Sequence, residues 1–190
     1  MSWVAIVPLK QGDSQKSRLS QSLDSVQRAA LTEMLFTRVL TALSANTAIS
    51  QVMVLSPVDP MRAGASWIRD QGRGLNEELT LLRARFADQN FLVVHADLPF
   101  LETGDLTTLL SAAETSGVAI APDKFDLGTN ALAMRAESSI KFQFGSDSFA
   151  KHRAASPDAA IAKSRGLSHD IDTPDDLRAA LDSGLRILTE

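Results

Sequence analysis

The sequence predicts one α/β domain in which a mostly parallel sheet lies between two layers of helices. Four short apolar runs, each closed by proline or aspartate, have the composition of strands buried on both faces. They span residues 3–9, 51–57, 91–97 and 118–123. Longer segments with helical spacing separate these runs, and strands that alternate with helices are joined by right-handed crossovers. We therefore expect a single three-layer α/β domain over residues 1–190.

Helical periodicity is clearest over residues 26–43, where an apolar residue recurs every four positions. Asp24 and Gln27 have the spacing of a capping box that would begin this helix. Two further helices are predicted over residues 76–88 and 106–116.

Two later segments depart from this alternation. Residues 129–136 follow no long helix, so they form either an antiparallel strand or a flap beside the sheet. Thr173 and Pro174 have the residue types of an N-cap and a first helical position, which places Asp175 and Asp176 in the first turn. We therefore assign these two aspartates to helix capping and not to a site.

The composition excludes several classes of protein. The formal net charge is −4 and the isoelectric point is about 5.4, so we expect no nucleic-acid partner. Without cysteine, the chain has no disulfide, thiolate zinc site or cysteine nucleophile. No apolar run approaches the roughly 18 residues of a membrane span, and the start lacks a signal-peptide pattern. We expect a cytoplasmic protein with no membrane partner.

The segment LKQGDSQKSRLS directly follows the first predicted strand and carries Lys10, Lys16 and Arg18. Three cations in one short loop repel one another unless an anion lies among them. The loop matches neither GxxxxGK[ST] nor the dinucleotide pattern GxGxxG. The backbone amides of Gly12 and Asp13 would add donors to an anion nest. We predict a phosphate-binding loop, with a solvated surface loop as the alternative.

Acidic residues are predicted at the same edge of the sheet, where ligands of such sheets bind beyond the carboxyl ends of the strands. Asp97 follows a buried strand, and a simple strand-end cap is its alternative role. Asp170 and Asp172 flank an inward-pointing Ile171, at the end of a short strand predicted near residues 167–171. A divalent metal shared with phosphates would explain why acids and cations lie on one rim.

Three turns that contain glycine are further candidates. GRGLNEEL places Gly74 and Asn76 ahead of a helix, where a base or ribose could approach, although a turn with a helix cap is the simpler interpretation. FGSDSFAKH offers the amides of Gly145 and Ser148 to an anion. GTNAL adds Thr129 as a second anion ligand.

The histidines and serines do not indicate a hydrolase or a metal site. The three histidines follow no metal-ligand spacing, and no GxSxG elbow is present. His152 follows Ser148 by about one helical turn, so it could orient that region.

In their order and spacing, six segments together resemble the CofC/FbiD family. They are VPLK…KSRLS, GLNEEL, ADLP, APDKFDLGTNAL, FGSDSFAKH and DIDTPDDL. ADLP and DIDTPDDL are shared by many nucleotidyltransferases, whereas GTNAL with FGxxSFxxH narrows the resemblance to this family. Its members are phospholactate or phosphoenolpyruvate guanylyltransferases of coenzyme F(420) biosynthesis. The resemblance covers nearly the whole chain and implies a Rossmann-like, GT-A-type nucleotidyltransferase fold with a mixed, mostly parallel sheet.

The resemblance also implies a reaction and its residues. GTP would be joined to 2-phospho-L-lactate, phosphoenolpyruvate or 3-phospho-D-glycerate, with release of pyrophosphate. Asp97 and Asp170, with or without Asp172, would bind Mg²⁺. By position in the motifs, Lys10, Lys16 and Arg18 would hold the triphosphate and, together with Asp97, would carry catalysis. Gly74 and Asn76 would lie near the base and the ribose of the nucleotide. The carboxylate of the acceptor would be bound by Thr129, Gly145 and Ser148.

Some alternatives stay open from the sequence. Asp147 departs from the family pattern, and we expect it to face solvent and not the acceptor. A GT-A-like nucleotidyltransferase that activates a sugar or a molybdopterin cofactor is one alternative, and a non-catalytic nucleotide-binding protein is another. The sequence does not determine which acceptor is used. It also does not determine the oligomeric state, so a homodimer stays open.

Overall fold

The computed structural model describes residues 2–10 and 16–186. The amides of Gly12 and Asp13, predicted above as anion donors, lie outside the described residues. The strands are β1 (Trp3–Pro8), β2 (Ile49–Ser56), β3 (Ser66–Arg69), β4 (Asn90–Val94), β5 (Val118–Pro122), β6 (Thr129–Met134) and β7 (Ala160–Ile161). The helices are α1 (Ser25–Ser44), α2 (Leu75–Arg85), α3 (Thr103–Ser116), α4 (Ser148–Ala155), α5 (Arg165–Ser168) and α6 (Pro174–Asp182), with a 3-10 helix at Ser17–Leu19. None of the helices in these ranges has the length and apolar character needed to cross a membrane.

The seven strands form one sheet in the order β3-β2-β1-β4-β6-β5-β7. Neighbouring strands are parallel except at β6, which runs antiparallel to both β4 and β5. This confirms the antiparallel alternative for residues 129–136. Because β6 runs in the opposite direction, its first residue, Thr129, lies at the edge where β4 and β5 end.

Apolar clusters lie on both faces of the sheet. On one face, strand residues such as Ala5 pack against α1, α3 and α5. On the other face, residues such as Ile6 pack against α2, α4 and the segment that carries Phe144. A third cluster joins α1 to α6 through Leu35 and Leu177, and it includes Ile171 from the segment before α6. The predicted three-layer arrangement is confirmed.

The predicted helix caps are present. The Asp24 carboxylate accepts the Gln27 N–H at 2.8 Å, and the Gln27 side chain accepts the Asp24 N–H at 3.0 Å. Thr173 and Asp176 form the equivalent box at the start of α6. Asp176 therefore belongs to helix capping, as expected.

The short strand predicted near residues 167–171 is wrong, because the chain forms α5 there and becomes extended only afterwards. The Ser164 hydroxyl caps this helix by accepting the Leu167 N–H at 3.1 Å. Gly166 lies so close to the loop before α3 that a Cβ would be 2.8 Å from a backbone carbonyl oxygen. This helix is stabilised by a polar cap and by close packing at a glycine. Its sequence therefore has no periodic apolar residues that would indicate a helix.

The strands β3 and β7 are also not indicated by the apolar pattern. They lie at the two edges of the sheet, contain four and two residues, and leave most of their side chains exposed or half-buried. Short edge strands of this kind carry no continuous apolar run.

Candidate functional site

Three carboxylates converge at the carboxyl edge of the sheet. Asp97 lies in the loop after β4, and Asp170 and Asp172 lie in the extended segment between α5 and α6. The N–H of the buried Ile171 donates to the Asp97 carbonyl oxygen at 3.2 Å, which joins the two segments. One oxygen from each carboxylate lies within 4.8 Å of the other two. The structure thus brings together the three acids that the sequence placed on one rim.

The ammonium group of Lys16 lies among these carboxylates. Its Nζ donates to Asp97 Oδ2 at 2.7 Å and to the Ile171 carbonyl oxygen, and it lies 3.4 Å from Asp172 Oδ1. The Lys16 side chain is only 9% exposed. Its backbone φ is 49°, in the left-handed region that residues with a side chain rarely adopt. The basic segment therefore reaches the acidic cluster and does not simply project into solvent.

Burial and charge oppose each other in this cluster. Burial alone would lower the pKa of the Lys16 ammonium, but the charge and hydrogen bond of Asp97, together with the charges of Asp172 and Asp170, outweigh burial and raise the pKa. Burial alone would raise the pKa of Asp97, but Lys16 holds that pKa below its usual range. Burial, then the charges of Asp97 and Asp172, raise the pKa of Asp170 to about 6. The cluster thus carries more negative charge than Lys16 balances.

The other two predicted cations are more exposed than Lys16. The Arg18 side chain is 73% exposed, with its guanidinium 3.8 Å from Asp172 Oδ2. Lys10 is exposed two residues beyond the end of β1, at the same edge of the sheet. Both side chains are therefore accessible to an anion that approaches from solvent.

The carboxylates suit a hard divalent cation. Asp97 Oδ1 is buried and makes no hydrogen bond to any residue in the described ranges. Leaving a buried acceptor unpaired costs about 1–3 kcal/mol, so a ligand that satisfies it is favoured. Asp97, Asp170 and Asp172 each offer one carboxylate oxygen to this cluster, and carboxylate oxygens are ligands that Mg²⁺ prefers.

Gly74 begins α2 at the end of a loop that a buried carboxylate organises. Its φ of 97° is one that glycine adopts readily. Glu78 is buried, and its carboxylate accepts the Gln71 N–H and the Arg73 guanidinium, each at 2.8 Å. The charge of Glu78 thus fixes the loop that ends at Gly74.

Asn76 connects the start of α2 with the segment before α4. Its carboxamide donates to the Phe144 carbonyl oxygen at 3.0 Å and accepts the Phe144 N–H at 2.8 Å. Phe144 directly precedes Gly145. The structure therefore joins Asn76 to the predicted acceptor region, and no described contact joins it to the acidic cluster.

Thr129 pairs with His152, which the sequence associated only with Ser148. Thr129 Oγ1 lies 3.0 Å from His152 Nδ1, and His152 Nε2 accepts the Gln143 N–H at 2.9 Å. Since Nε2 is an acceptor, Nδ1 carries the proton and donates to Thr129. Burial lowers the pKa of His152 to about 4, so the imidazole is neutral near pH 7.

Gly145 and Ser148 lie in one turn at the start of α4. Gly145 is exposed and Ser148 is buried, and the Ser148 N–H donates to the Gly145 carbonyl oxygen at 3.2 Å. Asp147 is the N-cap of α4 and is exposed, as expected, while its position relative to the acceptor stays a prediction. The predicted acceptor residues therefore lie around the His152 network, apart in sequence from the acidic cluster.

Asn130 contacts the acidic cluster, and the motifs in the sequence did not indicate this contact. It is buried in β6, and its Nδ2 donates to the Leu167 carbonyl oxygen at 3.0 Å and to Asp170 Oδ1 at 3.4 Å. It thus holds Asp170 in the cluster. The one indication in the sequence was an amide side chain inside an otherwise apolar strand, which predicts a buried polar contact.

Solved structures with similar folds include proteins named as nucleotidyltransferases. A protein from Desulfovibrio desulfuricans G20 described as a nucleotide-diphospho-sugar transferase superposes with a TM-score of 0.72 at 17% identity, covering 94% of this chain and 86% of that one. The 2-C-methyl-D-erythritol 4-phosphate cytidylyltransferase from Thermus thermophilus gives a TM-score of 0.58 at 17% identity, covering 96% and 98%. The expected nucleotidyltransferase fold is confirmed.

Sequence relatives narrow the class further. Phosphoenolpyruvate guanylyltransferase from Sphaerobacter thermophilus is 38% identical, with 93% of this chain and 91% of the relative covered. The enzyme of the same name from Rubrobacter xylanophilus is 36% identical, with 97% and 96% covered. The fold, the site and these relatives define a nucleotidyltransferase. A family model described as guanylyl transferase CofC like matches residues 3–184, and the chain belongs to this family.

Proposed function

We propose that the protein joins GTP to a phosphorylated three-carbon acid and releases pyrophosphate. The observation that carries this proposal is the convergence of three carboxylates with Lys16 at the carboxyl edge of the sheet. Phosphoenolpyruvate is the acceptor that we favour, because two relatives that match most of the chain carry that name. We place the reaction in coenzyme F(420) biosynthesis and in the cytoplasm.

The chemistry needs little proton transfer from the protein. An oxygen of the acceptor phosphate attacks the α-phosphorus of GTP, and the bond from that phosphorus to the oxygen shared with the β-phosphate breaks. A phosphate monoester has a second pKa of about 6, so near pH 7 the attacking group is already largely dianionic. A general base is therefore unnecessary, in keeping with a buried, neutral His152 that is occupied by Thr129 and Gln143.

The main difficulty is to bring two polyanions together. Mg²⁺ held by Asp97, Asp170 and Asp172 would supply charge stabilisation to the phosphates. Lys16, with the exposed Lys10 and Arg18, would hold the pyrophosphate as it leaves. Cations on the side of the leaving group stabilise the charge that develops there.

The remaining predicted residues divide between the two substrates. We place the guanine and ribose near Gly74 and Asn76, in the loop that Glu78 organises. We place the carboxylate of the acceptor at the turn of Gly145 and Ser148, over the pair formed by Thr129 and His152. Asn76 links these two regions through Phe144.

A matrix of nucleotides and acceptors tests the proposal. GTP, ATP, CTP and UTP are each combined with phosphoenolpyruvate, 2-phospho-L-lactate and 3-phospho-D-glycerate, and pyrophosphate release is measured. We expect release with GTP and at least one acid. Preference for CTP would instead favour the specificity of the cytidylyltransferase whose fold the chain shares, and no release in any combination would contradict the proposed reaction.

A further inference from the structure

The ammonium of Lys16 occupies the position where a cation is needed to hold the acidic cluster together. It contacts Asp97 Oδ2, the Ile171 carbonyl oxygen and Asp172 Oδ1. The carboxylate oxygens of Asp97, Asp170 and Asp172 that could hold a metal lie within 4.8 Å of one another. A divalent cation and an ammonium group drawn to the same carboxylates would repel each other at this distance. A metal bound by these carboxylates would therefore compete with Lys16 for the cluster.

Lys16 is well suited to leave this position. Its side chain is a point charge on a flexible four-carbon chain, so it can change partners by rotation about single bonds. Its backbone is held in the left-handed region, where φ is 49°, which a residue with a side chain adopts only when its surroundings require it. The contacts with the carboxylates are thus coupled to an unfavourable backbone conformation.

We propose that Lys16 is a tethered substitute for the metal in the nucleotide-free protein. When the metal enters with the triphosphate, Lys16 moves from the carboxylates to the phosphates, and the metal takes its place. The free metal then binds weakly, and metal and nucleotide enter together. This proposal rests on the proposed function for the identity of the triphosphate, but its first half concerns the nucleotide-free protein alone.

The test is the affinity of the nucleotide-free protein for Mn²⁺, measured by isothermal titration calorimetry and by the paramagnetic signal of free Mn²⁺. Lys16→Met removes the competing charge, and we expect it to bind Mn²⁺ about tenfold more tightly than the unmodified protein, or tighter still, given the usual strength of a charge-assisted contact. Lys141→Met, at an exposed lysine, makes the same change in net charge and should leave Mn²⁺ affinity unaltered. Lys16→Arg keeps the charge and should keep the weak affinity.

A GTP analogue that cannot release pyrophosphate reverses the expected order. In its presence, the unmodified protein should retain Mn²⁺ better than Lys16→Met, because Lys16 then contributes to triphosphate binding. If Lys16→Met does not fold, Lys16→Gln carries the same expectations, since it also lacks the charge.

Equal or weaker Mn²⁺ binding by the Lys16→Met protein without nucleotide would overturn the proposal. The result is separable from the proposed function, because no acceptor and no turnover are involved. An active enzyme with unchanged Mn²⁺ affinity in Lys16→Met would refute only the substitution of the metal by Lys16. If the unmodified protein releases no pyrophosphate with any acceptor, the proposed reaction is refuted instead.

Discussion

The carboxamide of Asn76 pairs with both backbone groups of Phe144, at 2.8 Å to the N–H and 3.0 Å to the carbonyl oxygen. This pairing fixes the start of α2 against the turn at Gly145. The first region is where we place the nucleotide base and the second is where we place the acceptor. A change at Asn76 should therefore affect both substrates.

Asn76→Asp should weaken acceptor binding at least as much as GTP binding. A carboxylate can still accept the Phe144 N–H, but it faces the carbonyl oxygen without a donor. Leaving a polar group unpaired in a half-buried hydrogen bond costs about 1–3 kcal/mol, so we also expect reduced stability. The measurements are the KM for each substrate and the free energy of unfolding in denaturant.

Asn46→Asp is the matched control for this prediction. Asn46 is buried, whereas Asn76 is half-buried, and Asn46 Nδ2 donates to Thr107 Oγ1 of α3 at 3.1 Å from the loop after α1. This variant should lose stability and keep both KM values. If Asn76→Asp raises the KM of GTP alone, the proposed link to the acceptor turn is wrong.

Most of the fold could be predicted because the strands of this sheet are buried on both faces. Runs such as those at β1 and β4 are apolar throughout, so their positions and order are visible in the sequence. The edge strands and α5 were not predictable in this way. Their formation depends on hydrogen bonds to neighbouring strands, on the Ser164 cap and on the close approach of Gly166.

The candidate site could be predicted where charged residues directly follow apolar strands. It was harder to predict where polar side chains pair with residues distant along the chain. Three aspartates and three cations assigned to one rim were enough to indicate a site from the sequence. The contacts of Asn130 and Glu78 could not be predicted from the sequence. Asn130 bonds residues that are distant along the chain, and Glu78 accepts a hydrogen bond from a loop that has no periodic pattern. The position of Lys16 among the carboxylates also depends on tertiary contacts, which spacing alone does not give.

Asp97→Asn should reduce turnover by roughly 100-fold or more, because it removes a carboxylate that would hold the metal, and the metal would stabilise the charge on the reacting phosphates. The neutral side chain has almost the same size, so the fold should persist. Pyrophosphate release is measured with and without chelator and with added Mg²⁺. Asp175→Asn, at an exposed carboxylate of α6, should retain normal turnover. Full activity of Asp97→Asn, or of the unmodified protein without metal, would remove Asp97 from the metal site.

Lys16→Ala should weaken GTP binding more than Arg18→Ala does. A buried charge-assisted contact contributes about 1.5–3 kcal/mol, which corresponds to about 10- to 150-fold in affinity. Arg18 is 73% exposed, and exposed charge pairs contribute only about 0.2–1 kcal/mol. Calorimetric titration of GTP into both variants, with Arg178→Ala as an exposed control on α6, measures the difference. Unchanged GTP affinity in both site variants would show that Lys16 and Arg18 do not bind the triphosphate.

His152 should make the protein less stable as the pH falls from about 6.5 to about 4. Burial lowers the pKa of His152 from 6.5 to about 4, so the unfolded chain binds a proton in this range and the folded protein does not. Stability is therefore lost as the pH falls through the unfolded value and this loss ends near the folded value. The measurement is the free energy of unfolding against pH for the unmodified protein and for His152→Gln.

The difference between the two curves isolates His152 from the carboxylates that titrate nearby. His152→Gln should be less stable near pH 7, because the bonds to Thr129 and Gln143 are disturbed. Its disadvantage should shrink as the pH approaches 4. Parallel curves over this range would show that His152 has an ordinary pKa in the folded protein.

Asp147→Gly should leave the choice of acceptor unchanged. Asp147 is exposed at the N-cap of α4, its side chain makes no capping hydrogen bond, and its φ is 55°. A side chain that faces solvent cannot distinguish the hydroxyl of 3-phospho-D-glycerate from the planar carbon of phosphoenolpyruvate. Glycine also removes a Cβ clash worth roughly 1–2 kcal/mol in the left-handed region, while it adds entropy to the unfolded chain, so stability should change little. The ratio of turnover with the two acids is compared between Asp147→Gly and the unmodified enzyme, and a changed ratio would place the Asp147 carboxylate at the acceptor.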